Sequence, residues 1–261
     1  MSVDLEAALD VAKQAVQAAA KAAMPHFERG VDVETKPDES PVTVADRECE
    51  VAILKVIDDA FPEHSILAEE GGSRTGDTPY LWTVDPIDGT RGFTRGGNFW
   101  GPLVSLQKDG EVIVGAMGMP ALDDVYWAAK GLGCYKNGER LKVSDVDSWS
   151  KCTVSLGEMG PLFSEPHGQT VVELVRTAAS GRGYGDLMGV GMLLTGLADV
   201  WLEAGVQAWD LGPMPILLSE AGGQYSSFDG DMSTTKGHAI GSNGRLHEHA
   251  LAALKATITA P

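Results

Sequence analysis

The segment Y-L-W-T-V-D-P-I-D-G-T, residues 80–90, constrains the fold of this chain more than any other. Its apolar first half has the composition of a buried strand that ends abruptly at Asp85. Asp88 follows three residues later, and Gly89 and Thr90 come next. Two carboxylates at a strand end offer the oxygen ligands that suit Mg²⁺, and a turn with exposed backbone N–H groups suits a phosphate. The segment therefore indicates metal-assisted chemistry on a phosphate ester.

Composition limits the class of protein and its partners. A chain of 261 residues with 43% hydrophobic residues can bury a sizeable core, as one large α/β domain or as two smaller ones. The net charge of −17 argues against a nucleic-acid backbone or an anionic membrane as the main partner. No apolar run approaches the length of a membrane span. We therefore expect a small phosphorylated substrate, with no nucleic acid and no membrane among the partners.

Cysteine usage and the N-terminus predict a cytoplasmic location. Cys49, Cys134 and Cys152 are far apart and form no C-x-x-C motif, so neither a structural zinc site nor a disulfide framework is expected. Such usage fits a reducing compartment. The chain begins M-S-V-D-L-E, which has early acids and lacks the basic region of a signal peptide.

Hydrophobic periodicity predicts the elements of the first half. Apolar residues at helical spacing indicate an Ala-rich amphipathic helix over residues 3–28 and a second helix over 46–59. Short apolar runs at 65–68 and 81–84 indicate strands, and each run is followed by acids. Residues 101–142 contain several strand-like runs separated by turn signals. This half therefore predicts an antiparallel sheet with helices on one side.

The second half alternates between strand-like and helical segments, which favours an α/β arrangement. A helix is predicted over 211–221, with Pro213 and Pro215 in its first turn, where proline is tolerated. No linker separates the two halves. We predict an N-terminal α+β half with the metal-binding motifs, residues 1–142, and a C-terminal α/β half that completes the active site, residues 143–261.

Three further segments carry carboxylates that could join those of residues 80–90. Glu69 and Glu70 follow a predicted strand, Asp210 precedes a predicted helix, and Asp46 could equally cap the second helix. Each of these acids alone could be a surface or capping residue. Clustered acids repel one another unless cations neutralise them. Convergence of the four segments would therefore indicate bound metal.

Other chemistries fit the sequence less well. It contains neither the G-x-S-x-G of a nucleophile elbow nor the G-x-x-x-x-G-K-[ST] of a P-loop. The Gly-rich stretch at 181–185 lacks the spacing of a dinucleotide-binding loop. The run H-E-H at 247–249 could bind a metal, but on a charged helix face near the chain end we expect solvated surface.

Several motifs together resemble those of the inositol monophosphatase-like, metal-dependent phosphatases. W-T-V-D-P-I-D-G-T is preceded by A-E-E-G and followed by W-D-L-G-P and E-A-G-G, so the resemblance covers nearly the whole chain in order. It implies a fold of the α+β or α/β class, the layered αβαβα sugar-phosphatase fold, and a homodimer. It also implies two to three Mg²⁺ ions and direct in-line attack of an activated water, without a covalent enzyme intermediate.

The resemblance carries roles over by position. It implies six metal ligands, of which Ile87 would serve through its backbone carbonyl: Glu69, Asp85, Ile87, Asp88, Asp210 and Asp46. Asp85 is expected to bridge two ions, and Asp46 matches a weaker third-metal position. The residues it implies in catalysis are Glu69, Asp85, Asp88, Thr90 and Thr43. Gly89 and Thr90 are expected to offer N–H groups to the phosphate, and Thr90 its hydroxyl to the water.

The substrate is predicted from a second set of residues. R-G-Y-G-D at 182–186 and R-G-F-T-R-G after residue 90 resemble the histidinol-phosphate phosphatase branch. The expected substrate-binding residues are Gly89, Thr90, Arg182, Asp186, Glu203 and Asp210. Histidinol phosphate carries an amino group and an imidazole, so a site that binds it should present carboxylates. Glu203 and Asp186 are the candidates. Arg182 would touch the phosphate or orient Asp186, and the alternative for all three is an ion pair that braces the two halves.

The leading hypothesis is a Mg²⁺-dependent phosphomonoesterase that hydrolyses L-histidinol phosphate, a reaction of histidine biosynthesis. The alternative within the same class is an inositol-1-monophosphatase or another small sugar-alcohol phosphatase. The alternative from another class is a metal- or phosphate-binding module without catalysis. The complete set of carboxylates favours an enzyme over such a module.

Overall fold

The computed structural model describes residues 3–36 and 41–258 of the chain. The helices within these ranges are α1 (Leu5–Arg29), α2 (Val44–Ala60), α3 (Thr90–Phe93), α4 (Met159–Leu162), α5 (Gly168–Thr177), α6 (Asp186–Leu194), α7 (Met214–Glu220) and α8 (His247–Ile258). The strands are β1 (Val33–Thr35), β2 (Pro41–Thr43), β3 (Ser65–Ala68), β4 (Tyr80–Asp88), β5 (Gly101–Lys108), β6 (Glu111–Met119), β7 (Asp124–Ala129), β8 (Gly133–Lys136), β9 (Glu139–Arg140), β10 (Thr153–Leu156), β11 (Ser180–Arg182), β12 (Val200–Ala204), β13 (Gln224–Ser226) and β14 (His238–Ser242).

Two large sheets organise the chain. The seven-stranded sheet has the order β3-β4-β5-β6-β7-β8-β9, and all its pairs are antiparallel except β3 with β4. The five-stranded sheet has the order β11-β10-β12-β14-β13 and is mixed. Each sheet takes its strands from one of the two predicted halves, and the division at residue 142 into two domains stays a prediction.

Helices cover both sheets and separate them, so the molecule has five layers in the order αβαβα. Helices α1 and α2 pack on the outer face of the seven-stranded sheet, α6 and α7 lie between the sheets, and α5 and α8 cover the far face of the five-stranded sheet. Three apolar cores hold the layers together: one lies under α1 and α2, one surrounds α6 and α7 between the sheets, and one lies under α5 and α8. The architecture is the α+β fold expected from the sequence.

Helix α1 packs closely because its buried face is made almost entirely of alanine. Asp4 caps its first turn by accepting a hydrogen bond from the backbone N–H of Glu6 at 3.0 Å. The fully buried residues of its inner face are Ala8, Ala12, Ala15, Val16, Ala19 and Ala23. Small side chains let α2 and the central strands approach the helix axis.

None of the described helices combines the length and apolar character needed to cross a bilayer.

Two of the boundaries predicted above differ from the observed ones by three residues or more. Strand β4 continues past the predicted end at residue 84 to Asp88, because pairing with β5 resumes after an irregularity between Asp85 and Asp88. Helix α7 begins at Met214 rather than at residue 211, with Pro213 as its N-cap residue. Proline has no N–H to donate and restricts the residue before it, so the chain turns through 208–213 before the helix starts.

Candidate active site

Strand alternation directs Asp85 into the space between the two sheets. Tyr80, Trp82 and Val84 belong to the apolar core under α1 and α2, so Thr83 and Asp85 point to the opposite face. Asp85 is only 1% exposed, and its Oδ1 accepts a hydrogen bond from the backbone N–H of Ile87 at 3.0 Å. The register shift in β4 that follows re-aims the chain, as bulges do next to active sites.

Asp210 reaches the same point from the other half of the chain. It lies in the loop between β12 and α7, where its Oδ2 accepts a hydrogen bond from the backbone N–H of Gln207 at 2.7 Å. One carboxylate oxygen each from Asp85, Asp88 and Asp210 lie within 4.8 Å of one another. This is the one group of potential metal ligands found among the described residues.

Gly212 allows this loop to sit directly on strand β4. A side chain at Gly212 would overlap Oγ1 of Thr83 and lie 2.9 Å from Oγ of Ser105. These two hydroxyls are hydrogen-bonded to each other across β4 and β5, at 2.5 Å. The loop that carries Asp210 is therefore seated on a polar pair next to Asp85.

Burial and neighbouring carboxylates raise the pKa values of Asp85 and Glu69. Burial raises the pKa of Asp85 well above its usual range, and repulsion from Glu69, Asp210 and Asp88 raises it further. Burial raises the pKa of Glu69 to about 7, against the opposing effect of Lys36. A site of carboxylate oxygens at which like charges meet suits a hard divalent cation, which neutralises them. The residues present therefore fit the metal that the sequence predicts.

Lys36 and Glu50 arrange the loop that carries Glu69, and sequence reasoning missed both. The Lys36 ammonium donates to Oε1 of Glu69 at 2.8 Å and also bonds the carboxylate of Glu70. The buried Glu50 accepts hydrogen bonds from the backbone N–H groups of Glu70 at 2.7 Å and Gly72 at 2.9 Å. Glu70, which neighbours the site, thus anchors the loop that presents Glu69.

Asp46 takes the capping role that the sequence left open. Its Oδ2 accepts from the backbone N–H of Thr43 at 2.7 Å and from the Thr43 hydroxyl at 2.6 Å, which forms a capping box at the start of α2. The Thr90 hydroxyl lies 3.3 Å from Oδ1 of Asp46 and donates to the carbonyl of Ile87 at 2.9 Å. Thr43 and Asp46 therefore connect the start of α2 to Thr90, and a metal-binding role for Asp46 stays a prediction.

A pocket of about 260 Å³ opens over the three aspartates. The predicted site residues that line it are Glu69, Asp85, Ile87, Asp88, Gly89, Thr90, Glu203 and Asp210. Thr43, Asp46 and Arg182 do not line it. Arg182 is exposed on the edge strand β11, where its guanidinium donates to the carbonyl of Gly181 at 2.7 Å. The side chain of Asp186 lies outside the described part of the structure.

Glu203 lines the same pocket from strand β12. It follows Trp201 by two residues on β12, so both face the middle layer, and it is 4% exposed. Its Oε1 accepts from the backbone N–H groups of Glu158 at 2.7 Å and Ala204 at 3.1 Å. Glu158 also lines the pocket and was not identified from the sequence, because it follows β10 in a segment without a motif.

The H-E-H run forms the predicted exposed surface at Glu248 and His249 but not at His247. His247 is fully buried, and its ring nitrogens lie 2.9 Å from the hydroxyl of Ser226 and 3.0 Å from that of Ser242. His249 stacks on the ring of Trp149 at 4.3 Å between centroids. The prediction was wrong for His247 because α8 turns the start of this run toward strands β13 and β14.

Comparison with known proteins gives a consistent result. The sequence profile of the inositol monophosphatase family matches residues 4–259. The chain is 35% identical to a histidinol-phosphatase of Mycobacterium tuberculosis over 229 residues, which is 86% of this chain and 88% of that protein. It is 31% identical to a histidinol-phosphatase of Chlorobaculum parvum over 256 residues, 97% of each chain. A solved structure of an inositol monophosphatase from Anabaena has a TM-score of 0.84 at 28% identity and covers 97% of each chain.

Proposed function

Because this chain belongs to the inositol monophosphatase family and is a phosphoric monoester hydrolase, we propose that it hydrolyses L-histidinol phosphate with the aid of bound Mg²⁺. The observation that carries this proposal is the meeting of Asp85, Asp88 and Asp210 in a pocket that is also lined by the carboxylates of Glu158 and Glu203. The first group suits a metal and a phosphate, and the second suits a cationic alcohol.

The proposed metal ligands are Asp85, Asp88, Asp210 and Glu69, from both halves of the chain. Bound Mg²⁺ would supply charge stabilisation and activation of the attacking water. Two to three ions are proposed from the family resemblance, with Asp46 at the third position. The carbonyl of Ile87, which β4 holds next to Asp85, is proposed as a further ligand.

Thr90 is proposed to orient the attacking water. Because its hydroxyl donates to the carbonyl of Ile87, its oxygen remains able to accept a hydrogen bond from a water in the pocket. Asp46 and Thr43 fix the position of this hydroxyl through the start of α2. Gly89 and Thr90, at the beginning of α3, are proposed to hold the phosphate oxygens with their backbone N–H groups.

The choice of substrate rests on two observations. The histidinol-phosphatases of two bacteria are 31% and 35% identical to this chain. The pocket lining includes Glu203 and Glu158, and carboxylates bind the ammonium and imidazolium groups that histidinol phosphate presents and inositol phosphates lack. Roles in substrate binding for Arg182 and Asp186 remain predictions.

Phosphate release from L-histidinol phosphate and from inositol 1-phosphate, assayed side by side with Mg²⁺ and with EDTA, tests the proposal. We expect EDTA-sensitive release with a catalytic efficiency at least about tenfold higher on histidinol phosphate. Preference for inositol 1-phosphate would favour the second candidate, an inositol monophosphatase, which the structural similarity to the Anabaena enzyme supports. Binding of substrate by calorimetry without any turnover would indicate a non-catalytic module.

Two properties of the whole protein are also proposed. The three cysteines are buried free thiols, which is typical of proteins from a reducing compartment, so we place the protein in the cytoplasm. A homodimer is proposed from the family resemblance. Light scattering after size-exclusion chromatography would show a mass of twice 27.5 kDa if it is correct.

A further inference from the structure

Glu203 and Glu158 are neighbours and form one wall of the pocket. Glu203 is buried beneath the turn at Gly157 and Glu158, and its Oε1 accepts a hydrogen bond from the Glu158 backbone N–H at 2.7 Å. A side chain at Gly157 would overlap the Glu203 carboxylate, so the turn and the carboxylate are in direct contact. Glu203 therefore fixes the backbone position from which the Glu158 side chain extends.

The fold itself makes no use of the Glu158 carboxylate. Glu158 is the N-cap residue of α4, yet its side chain makes no capping hydrogen bond. No hydrogen bond or ion pair to this carboxylate occurs within residues 3–36 and 41–258. It is exposed and lines the pocket. A carboxylate held at the mouth of a site without a structural partner is available to a ligand.

The other groups on this wall also favour a cation. Trp201 lines the pocket on the same strand face as Glu203, and an aromatic ring beside carboxylates is a common setting for cationic ligands. The Trp201 indole N–H and the neighbouring Ser155 hydroxyl are buried without a hydrogen-bond partner in the described chain. Arg91 is the one basic side chain among the described residues that line the pocket. This wall therefore combines the carboxylate of Glu158 with the ring of Trp201.

We infer that Glu158 is a specificity-determining residue, which binds the cationic part of the leaving alcohol and thereby favours amine-bearing phosphate esters over neutral polyol phosphates. The inference rests on the proposed function and deepens it. The positive charge of the alcohol lies away from the bond that breaks. Glu158 therefore attracts this charge equally in the ground state and in the transition state. Loss of this contact should therefore raise KM and leave kcat nearly unchanged.

The variant Glu158→Gln, which keeps size and hydrogen-bonding groups but removes the charge, tests the inference. On L-histidinol phosphate we expect KM to rise about tenfold with kcat within about twofold of the wild type. On inositol 1-phosphate we expect both constants to stay within about twofold. Inhibition by the product L-histidinol, which carries the charge without the phosphate, should weaken by the same factor as KM rises.

A matched control separates local contact from the general effect of charge. Glu139→Gln removes the same charge from an exposed position on β9, outside the pocket, and should leave all constants unchanged. Glu158→Asp should retain part of the preference, because the charge remains on a shorter side chain. Suppose that the wild-type enzyme prefers histidinol phosphate. If Glu158→Gln then changes the kinetic constants equally on both substrates, or on neither, the inference is overturned and the proposed function stands. A wild-type enzyme that prefers inositol 1-phosphate would overturn the proposed function, and the inference with it.

Discussion

Individual residues of this site place negative charge where the protein interior disfavours it. Asp85 is almost fully buried, and the carboxylates of Glu69, Asp88 and Asp210 all raise its pKa. Buried charges of like sign destabilise a fold unless a counter-charge joins them. The free energy of unfolding and the binding of a divalent cation are therefore coupled through the same side chains.

Replacement of Asp85 separates activity from stability. In Asp85→Asn, we expect phosphate release to fall by at least about 10³-fold, because a ligand at the centre of the carboxylate group is lost. Without Mg²⁺ the variant should melt at the same temperature as the wild type or higher, since one repulsive charge is gone. Added Mg²⁺ should raise its Tm less than that of the wild type. Phosphate assays and thermal melts with Mg²⁺ or EDTA measure both effects.

Asp77→Asn, which changes an exposed aspartate away from the pocket, is the control for this experiment and should behave as the wild type. A full Mg²⁺-dependent rise in Tm in the Asp85 variant would contradict the assignment of Asp85 as a metal ligand.

Because the pKa of Glu69 is raised, we expect metal binding to depend on pH near neutrality. Burial raises the pKa of its carboxyl to about 7, so below that pH a proton must leave before a cation can bind. The apparent Kd for Mg²⁺ should increase by about tenfold for each pH unit below 7 for one displaced proton. Titration calorimetry at several pH values, in buffers of different ionisation enthalpy, measures the affinity and the protons released. A Mg²⁺ affinity that does not change between pH 6 and pH 8 would refute this prediction. In Glu69→Gln, the part of the pH dependence that comes from this proton should be absent.

Some of these residues could be identified from the sequence and others could not, for a physical reason. Asp85 and Asp88 stand at the end of an apolar run, which is a local signal. The roles of Lys36, Glu50 and Glu158 depend on contacts with segments that are distant in sequence, such as that of Glu50 with Gly72. No local pattern specifies which of many surface acids a fold will turn toward a loop or a pocket.

At the scale of elements, the site depends on how closely a loop can approach a sheet. The loop before α7 sits on the hydroxyl pair of Thr83 and Ser105, and Gly212 is the residue at the contact. The sequence prediction of a helix from residue 211 missed this arrangement. The chain instead turns here, which brings Asp210 to β4 before Pro213 and Met214 begin the helix.

Gly212→Ala should therefore displace Asp210 without changing any ligand. The added methyl group overlaps the Thr83 hydroxyl, so we expect a loss of about 1–3 kcal/mol in the free energy of unfolding. We also expect weaker Mg²⁺ binding, measured by calorimetry at fixed pH. Gly160→Ala is the control, because a side chain there meets no atom closer than 3.8 Å. Unchanged Mg²⁺ affinity in a destabilised Gly212→Ala variant would show that the loop position does not set the site.

At the scale of the whole molecule, the five layers explain why the site needs both halves of the chain. Asp85 and Asp88 come from the seven-stranded sheet, and Asp210 and Glu203 come from segments that follow or form the five-stranded sheet. Strand-like runs and turn signals predicted the class of the first half, and strand–helix alternation predicted that of the second. The layer order came from the resemblance to a family. Periodicity shows which face of an element is buried and not which partner covers it, so topology could not be derived from it.

Because the pKa of the buried His247 is lowered, we expect the free energy of unfolding to depend on pH. Burial lowers the pKa of its imidazole to about 4, and its ring is held between the hydroxyls of Ser226 and Ser242. In the unfolded chain the ordinary value is about 6.5, so between these values the unfolded state binds more protons. The contribution of His247 is therefore fully present above pH 6.5 and is lost as the pH falls toward 4, by about 3 kcal/mol in total.

Urea unfolding of the metal-free protein from pH 8 to pH 4.5 measures this dependence, with EDTA present to exclude the cation. His247→Gln should be less stable than the wild type at pH 8, because the two serine contacts are disturbed, and should lose less stability on acidification. The difference between the two proteins should therefore shrink as the pH falls. His26→Gln, which removes a partly exposed histidine beside Glu48, is the control for loss of an imidazole elsewhere in the chain. Parallel curves for the wild type and His247→Gln would show that the buried imidazole does not control the acid sensitivity of the fold.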